Sequence, residues 1–203
     1  MKKSLNNYIT NIIFYSFILI PISLISGPLI SDVIVSLIAI LFISYCLMNN
    51  EYKYFKNSFF FIFIFFYLWC LICALQSDYK LVSSLKSLVY FRFFIFALAI
   101  WFLFEQKKEV VKYIFYSFSF CFLILVLDGY IQYFTGENII GYKMHNVRIS
   151  SFFGDELIFG SYLSRLLPVF IALFYLNKVS NTNKYKYIFF IFIIFTSVII
   201  FLS

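Results

Sequence analysis

The chain has 203 residues and a net charge of +7, with 64% apolar, 25% aromatic and only 12% charged residues. A soluble domain carries about 25% charged residues, so roughly half the usual polar surface is missing, and a mean hydropathy of +0.95 makes lipid the solvent. With six Gly and three Pro, the same arithmetic excludes disordered, collagen-like, coiled-coil and disulfide-scaffold classes. The positive charge is no nucleic-acid footprint either, because the Lys residues sit in short clusters between apolar segments, not along one face.

A bilayer core of about 30 Å takes roughly 20 helical residues. Seven segments meet or approach that length: 8–25, 29–48, 58–75, 86–104, 110–131, 155–177 and 187–203. They are far longer than the roughly ten-residue alternating strands of a membrane barrel. The expected fold is therefore all-α, a polytopic integral membrane protein of about seven transmembrane helices forming a single transmembrane domain over 1–203. The first segment follows Lys2 and Lys3 but is long and lacks an A-x-A-like cleavage site, so it reads as an uncleaved span, not a signal peptide. Pro21 falls in its last turns, and Gly27-Pro28 make the turn into the second span.

With the N-terminus inside, the cytoplasmic side holds Lys2, Lys3, Lys53, Lys56, Lys107, Lys108, Lys112, Lys178, Lys184 and Lys186. The other side holds Lys80, Lys86, Arg92, Lys143, Arg148 and Arg165, including every Arg of the chain. Ten against six favours a cytoplasmic N-terminus. Lys marks topology, whereas Arg offers a planar fork suited to phosphate or carboxylate. Cys46, Cys70, Cys73 and Cys121 all fall inside predicted spans; Cys70 and Cys73 form a C-x-x-C, but no second ligand pair stands at metal spacing, so all four read as small apolar side chains with no disulfide and no metal.

An ionisable group in a span costs at least roughly 2.5–3.5 kcal/mol near the centre, so each needs a reason. The candidates are Asp32, Arg92, Asp128, Asp155, Glu156 and Arg165. All fall mainly in outer halves of their helices, an arrangement that fits a polar cavity opening outward. The bland readings place Asp32 and Asp128 at the interface reaching water, make Asp155 and Glu156 helix-opening caps after Gly154, and let Arg165 snorkel or pair with Asp128 or Glu156. The longest outer connection, 132–154, holds His145, Arg148 and Ser150-Ser151. His145 has no readable nucleophile or orienting partner and reads as a solvated loop residue.

The stretch from Arg148 to Pro168, R-I-S-S-F-F-G-D-E-L-I-F-G-S-Y-L-S-R-L-L-P, resembles the Arg-x-x-Gly-x-Phe-Gly-(Asn/Asp)-Pro-Asn type signature of the O-antigen ligase and O-antigen polymerase superfamily. Arg148, Phe153, Gly154, Asp155, Gly160 and Ser161 carry the match; Ser151 stands where Gly is frequent, and Glu156 replaces the common Pro. The Gly27-Pro28 turn and Arg92 also look like that family's N-terminal half. The resemblance implies a GT-C-type glycosyltransferase of polysaccharide or lipopolysaccharide biosynthesis in the bacterial inner membrane. Its partner would be a glycan on undecaprenyl pyrophosphate, transferred on the periplasmic face without cofactor, nucleotide sugar or metal. It implies a diphosphate site at Arg148, with Arg165 and Arg92 next, supported by Phe153, Gly154, Asp155, Glu156, Gly160 and Ser161. Gly160 and Ser164 read as a small-xxx-small packing pair. The catalytic group is unknown.

Members of that superfamily have more spans and a large His-bearing periplasmic loop in the C-terminal half. The 203 residues are accordingly expected to be the N-terminal half of such an enzyme and not to catalyse transfer alone. The alternative is a non-enzymatic transporter or flippase-like membrane protein, for which paired halves with Gly- or Pro-broken midplane helices would be expected.

Overall fold

The computed structural model describes residues 2–144, 148–154, 156–177 and 183–203. Eight α-helices carry these residues: α1 Lys2–Ser26, α2 Pro28–Asn49, α3 Ser58–Leu75, α4 Lys80–Val89, α5 Phe91–Gln106, α6 Val110–Thr135, α7 Phe159–Leu176 and α8 Asn183–Phe201. Six spans are long and apolar enough to cross a membrane, with α4 and α5 counted as one rod, Lys80–Gln106; α8 adds a shorter apolar stretch, Tyr185–Phe201. The chain is an all-α, multi-pass membrane protein. Its many exposed Phe, Leu and Ile side chains need no partner, because lipid covers them as favourably as protein would.

Each expected span contains a helix, with four starts displaced by four or six residues: the first begins at Lys2, not 8, and the seventh at Asn183, not 187. The fourth begins at Lys80, not 86: its first ten residues form α4, which buries none of its side chains. At Tyr90 the backbone stays right-handed while Tyr90 N–H donates to the Ser87 carbonyl and Phe93 N–H to that of Tyr90. These tighter i→i+3 bonds mark the join between α4 and α5. The sixth starts at Phe159, not 155, because Gly154 at φ +59° turns the chain off the helical path. Between α1 and α2 only Gly27 leaves the helical path, at φ +128°, and Pro28 opens α2 at the position where its missing N–H is harmless.

The described residues form two compact units. The first comprises 1–20 and 28–108. Within it α2 packs along α5, and α3 against α4. Phe42, Ile38 and Cys46 of α2 are buried, as are Leu98, Ala99 and Phe102 of α5. Tyr54, on the short 3-10 turn Lys53–Phe55, is only 1% exposed and meets Phe42, Trp101 and Phe102 edge-on at 5.6–5.8 Å. Its hydroxyl donates to Glu105 at 2.8 Å, and the Lys53 ammonium reaches the same carboxylate oxygen at 2.8 Å. Burial, reinforced by the Glu105 bond, pushes the Tyr54 phenol up to about 12. The hydrogen bond to Glu105 likewise holds Lys53 above its ordinary range.

The second unit comprises 21–27 and 109–203. Here α6, α7 and α8 pack on one another around Phe170, which stacks on Phe115 and Phe122 and meets Phe189 at ring distances of 4.9–5.6 Å. Two glycines set how close the helices come. A Cβ at Gly129 would lie 2.9 Å from the Phe159 ring and 3.2 Å from Ile199. One at Gly160 would strike the Ser203 hydroxyl and lie 3.3 Å from the Ile200 carbonyl. Gly160 is thus where α7 approaches the last turn of α8, the packing role expected of it.

Candidate functional site

The polar centre of the second unit is built at the C-terminal end of α6. Asp128 and Gln132, one helical turn apart, share a face, and both are 0% exposed. Gly136, at φ +83°, ends the helix in the left-handed conformation that glycine adopts without strain. The chain then turns through Asn138, whose Oδ1 accepts from the Ile140 and Tyr142 N–H groups at 3.1 and 2.7 Å. Such an Asx turn folds the connection back over the helix end.

Gln132 saturates its hydrogen-bonding capacity. Its Oε1 accepts from the N–H groups of Ser150 and Ser151 at 3.0 and 2.7 Å, while its Nε2 donates to the Tyr142 carbonyl and Ser150 Oγ at 3.2 and 3.3 Å. Asp128 accepts from the Ser151 hydroxyl at 2.5 Å and the Ile139 N–H at 3.0 Å. The Asn138 amide donates to the Ser151 carbonyl at 2.9 Å. Ser151 therefore has its N–H, its carbonyl and its hydroxyl held by three different side chains. It also stands at φ +50°, a left-handed backbone that disfavours side chains other than glycine by about 1 kcal/mol or more. The three bonds hold it there.

This network corrects two expectations. Asp128 does not reach water at an interface: it is buried, and its lone pairs go to a hydroxyl and a backbone amide, because the loop supplies donors that α6 alone lacks. Nor does Glu156 open a helix. Gly154 follows the 3-10 turn Ser151–Phe153 at φ +59°, ψ −121°, which carries the chain off the right-handed path, and α7 begins only at Phe159 with Ile158 before it and no side-chain cap. Glu156 is exposed, in a turn where its N–H donates to the Phe153 carbonyl at 3.1 Å. Asp155 and His145 lie outside the described residues. Gly154 is also crowded: a Cβ there would lie 3.3 Å from the Tyr142 ring. Phe153 packs on Tyr162 and Phe159 at 5.2 and 6.4 Å.

Arg148 is exposed, three residues before the pinned Ser151. Arg165 is exposed on α7 and forms no ion pair with a described residue, so the expected tie to Asp128 or Glu156 is not made; Asp128 is already enclosed by its own donors. Ser161, one turn before Arg165, is exposed and donates to the Ile158 carbonyl at 2.8 Å. Arg92 belongs to the other unit. It pairs with Asp32 at 2.7 Å, donates to Ser36 at 3.2 Å, and lies over the Phe93 ring at 4.9 Å. Arg148 and Arg165 thus share a unit, whereas Arg92 is engaged elsewhere.

Sequence reasoning missed the buried hydrogen-bonding roles of Gln132 and Asn138. The available signal was the Asp128–Gln132 spacing, which places two polar groups on one face of an otherwise apolar helix just before a loop rich in turn formers. Among the described residues no group of three or more His, Cys, Asp or Glu side chains comes together in a way that could hold a metal. No family model, no curated protein and no solved structure matches the chain.

Proposed function

We propose that the chain is a bacterial inner-membrane protein of the O-antigen ligase and polymerase type, with a cytoplasmic N-terminus and a periplasmic 132–154 connection. Its ligand is a glycan on undecaprenyl pyrophosphate. The observation that carries this reading is Ser151. The residue at the position where the resembling signature commonly has glycine adopts a backbone that favours glycine, and the same buried network that secures it fixes the root of the segment bearing Arg148. An exposed guanidinium on a fixed root suits a diphosphate, because charge-assisted bidentate bonds are strong and a fixed root reduces the ordering cost of binding. Arg165 supplies a second exposed guanidinium in the same unit. In transfer, positive charge at these positions stabilises the negative charge that develops on the leaving diphosphate. Arg92 keeps its bonds to Asp32 and Ser36 and has no part in this step.

Binding of undecaprenyl diphosphate and undecaprenyl monophosphate to the purified chain in lipid nanodiscs tests the reading. The diphosphate is expected to bind more tightly, with Arg148→Ala weakening it about tenfold or more and Arg165→Ala weakening it less. Equal affinity for both lipids in the unaltered chain, or no change in Arg148→Ala, overturns it.

A further inference from the structure

The first unit holds a second polar place inside apolar surroundings, and its chemistry differs from that of the Arg148 segment. Asp32 and Arg92 form the wall between two adjoining open grooves. One, of about 410 Å³, is lined by Asp32, Lys86, Tyr90 and Arg92 together with apolar residues of the α4–α5 rod. The other, of about 660 Å³, shares Asp32 and Arg92 and continues over Val33, Leu37 and Ile40 of α2. Those three residues are exposed and follow i, i+4, i+7 spacing, which gives an apolar strip about 10 Å long on one helix face.

The ion pair does not exhaust the cations around it. A guanidinium has five N–H donors; the bonds to Asp32 and Ser36 use two, and Arg92 Nε is buried without a partner. Lys86 is exposed in the last turn of α4 and forms no ion pair with a described residue. Two cations against one carboxylate leave a single surplus positive charge at the head of an apolar strip. In lipid such a surplus is expensive.

We propose that this double groove binds one anionic phospholipid with a phosphodiester headgroup, phosphatidylglycerol being the simplest case. The phosphodiester sits between Lys86 and the free N–H groups of Arg92, and an acyl chain lies along Val33, Leu37 and Ile40. One negative charge neutralises the one surplus positive charge. A zwitterionic headgroup leaves it uncompensated, and a dianionic monoester or diphosphate brings excess negative charge against the half-exposed Asp32 carboxylate, which is 51% accessible. The hydroxyls of a glycerol headgroup give that carboxylate donors. The site is therefore distinct in ligand charge from the diphosphate site assigned to Arg148.

Native mass spectrometry of the delipidated full chain in neutral detergent tests this, with phosphatidylglycerol, phosphatidylcholine or undecaprenyl diphosphate added. The chain is expected to retain one phosphatidylglycerol at least about fivefold over phosphatidylcholine. Lys86→Gln removes most of that preference, and Leu37→Trp, which fills the apolar strip without touching charge, lowers retention of phosphatidylglycerol about as much. Lys112→Gln, a charge change in the other unit, leaves both unchanged. Equal retention of the two phospholipids, or a preference that survives Lys86→Gln, overturns the proposal. So does displacement of the lipid by millimolar inorganic phosphate, which would mark a free-anion site, or a Lys86-dependent preference for the diphosphate lipid.

Discussion

Asp32 and Asp128 both stand in apolar helices, and the two units keep them there by different means. Asp32 is half-exposed and faces a guanidinium at 2.7 Å. Asp128 is fully enclosed and has a hydroxyl and a backbone amide in place of a cation. An ion pair at an accessible position can exchange its partner for water or a lipid headgroup, so removing one half is tolerated. A buried acceptor with fixed donors has no such substitute, and neither do the donors it holds. The first arrangement suits an exchangeable ligand, the second a scaffold.

The contrast is broken most directly at Gln132. Gln132→Ala strands the N–H groups of Ser150 and Ser151 inside the protein, at about 1–3 kcal/mol for each buried unsatisfied donor, and should give the largest loss of unfolding free energy in mixed detergent titrations. Asp128→Leu should approach it. Asp128→Asn should cost far less, since its amide donates to Ser151 Oγ while its oxygen still accepts from Ile139; comparable losses in the Leu and Asn variants would show that the network is not what stabilises the connection. Next comes Gly129→Ala, whose methyl would press on the Phe159 ring at 2.9 Å. Overpacking of this kind costs about 1–3 kcal/mol, and the same titration should show it without a change in helix content.

Smaller effects belong to the first unit. Asp32→Asn should cost less than Gln132→Ala, because Arg92 keeps its bond to Ser36 and its freed donors can turn to a lipid phosphate; a loss as large as that of Gln132→Ala would erase the distinction between the two sites. A pH-dependent effect in the same unit comes from Tyr54. The Tyr54 phenol rises from 10.0 to about 12 in the folded chain, so the folded state disfavours its ionisation. The stability this contact contributes is complete below about pH 10 and is lost as pH climbs towards 12. Lys53, also raised, acts in the same direction. Tyr54→Phe should flatten the decline between pH 10 and 12 in a denaturation series, and an unchanged slope would contradict the assignment.

How much of this was legible beforehand follows from where each residue finds its partners. Helix positions depend on apolar length, a local property, and so a helix could be read in each of the seven segments, together with the Gly27-Pro28 turn, although six spans are long and apolar enough to cross a membrane and the last holds a shorter apolar stretch. The start of α7 could not, because Gly154 takes a left-handed turn just where Asp-Glu resembles a helix opening. The burial of Asp128 was hidden for a similar reason: its donors come from Ile139 and Ser151, 11 and 23 residues on. Arg92 and Asp32 were each flagged, but their pairing spans 60 residues and needed the packing of α2 on α5. Ser151 could not be singled out from the Ser150-Ser151 pair, because its left-handed backbone is held by side chains of Asp128, Gln132 and Asn138, 13 to 23 residues earlier.

The central claim is that the Asp128–Gln132–Asn138 network positions Arg148 for a diphosphate. The selectivity of Gln132→Ala for undecaprenyl diphosphate over the monophosphate, measured in nanodiscs where circular dichroism confirms retained helix, tests it most directly. Loosening the root of the segment should lower that selectivity by several-fold with Arg148 still present, towards the value of Arg148→Ala. Unaltered selectivity in a Gln132→Ala chain whose Ser150 and Ser151 amides have lost hydrogen-exchange protection would contradict it.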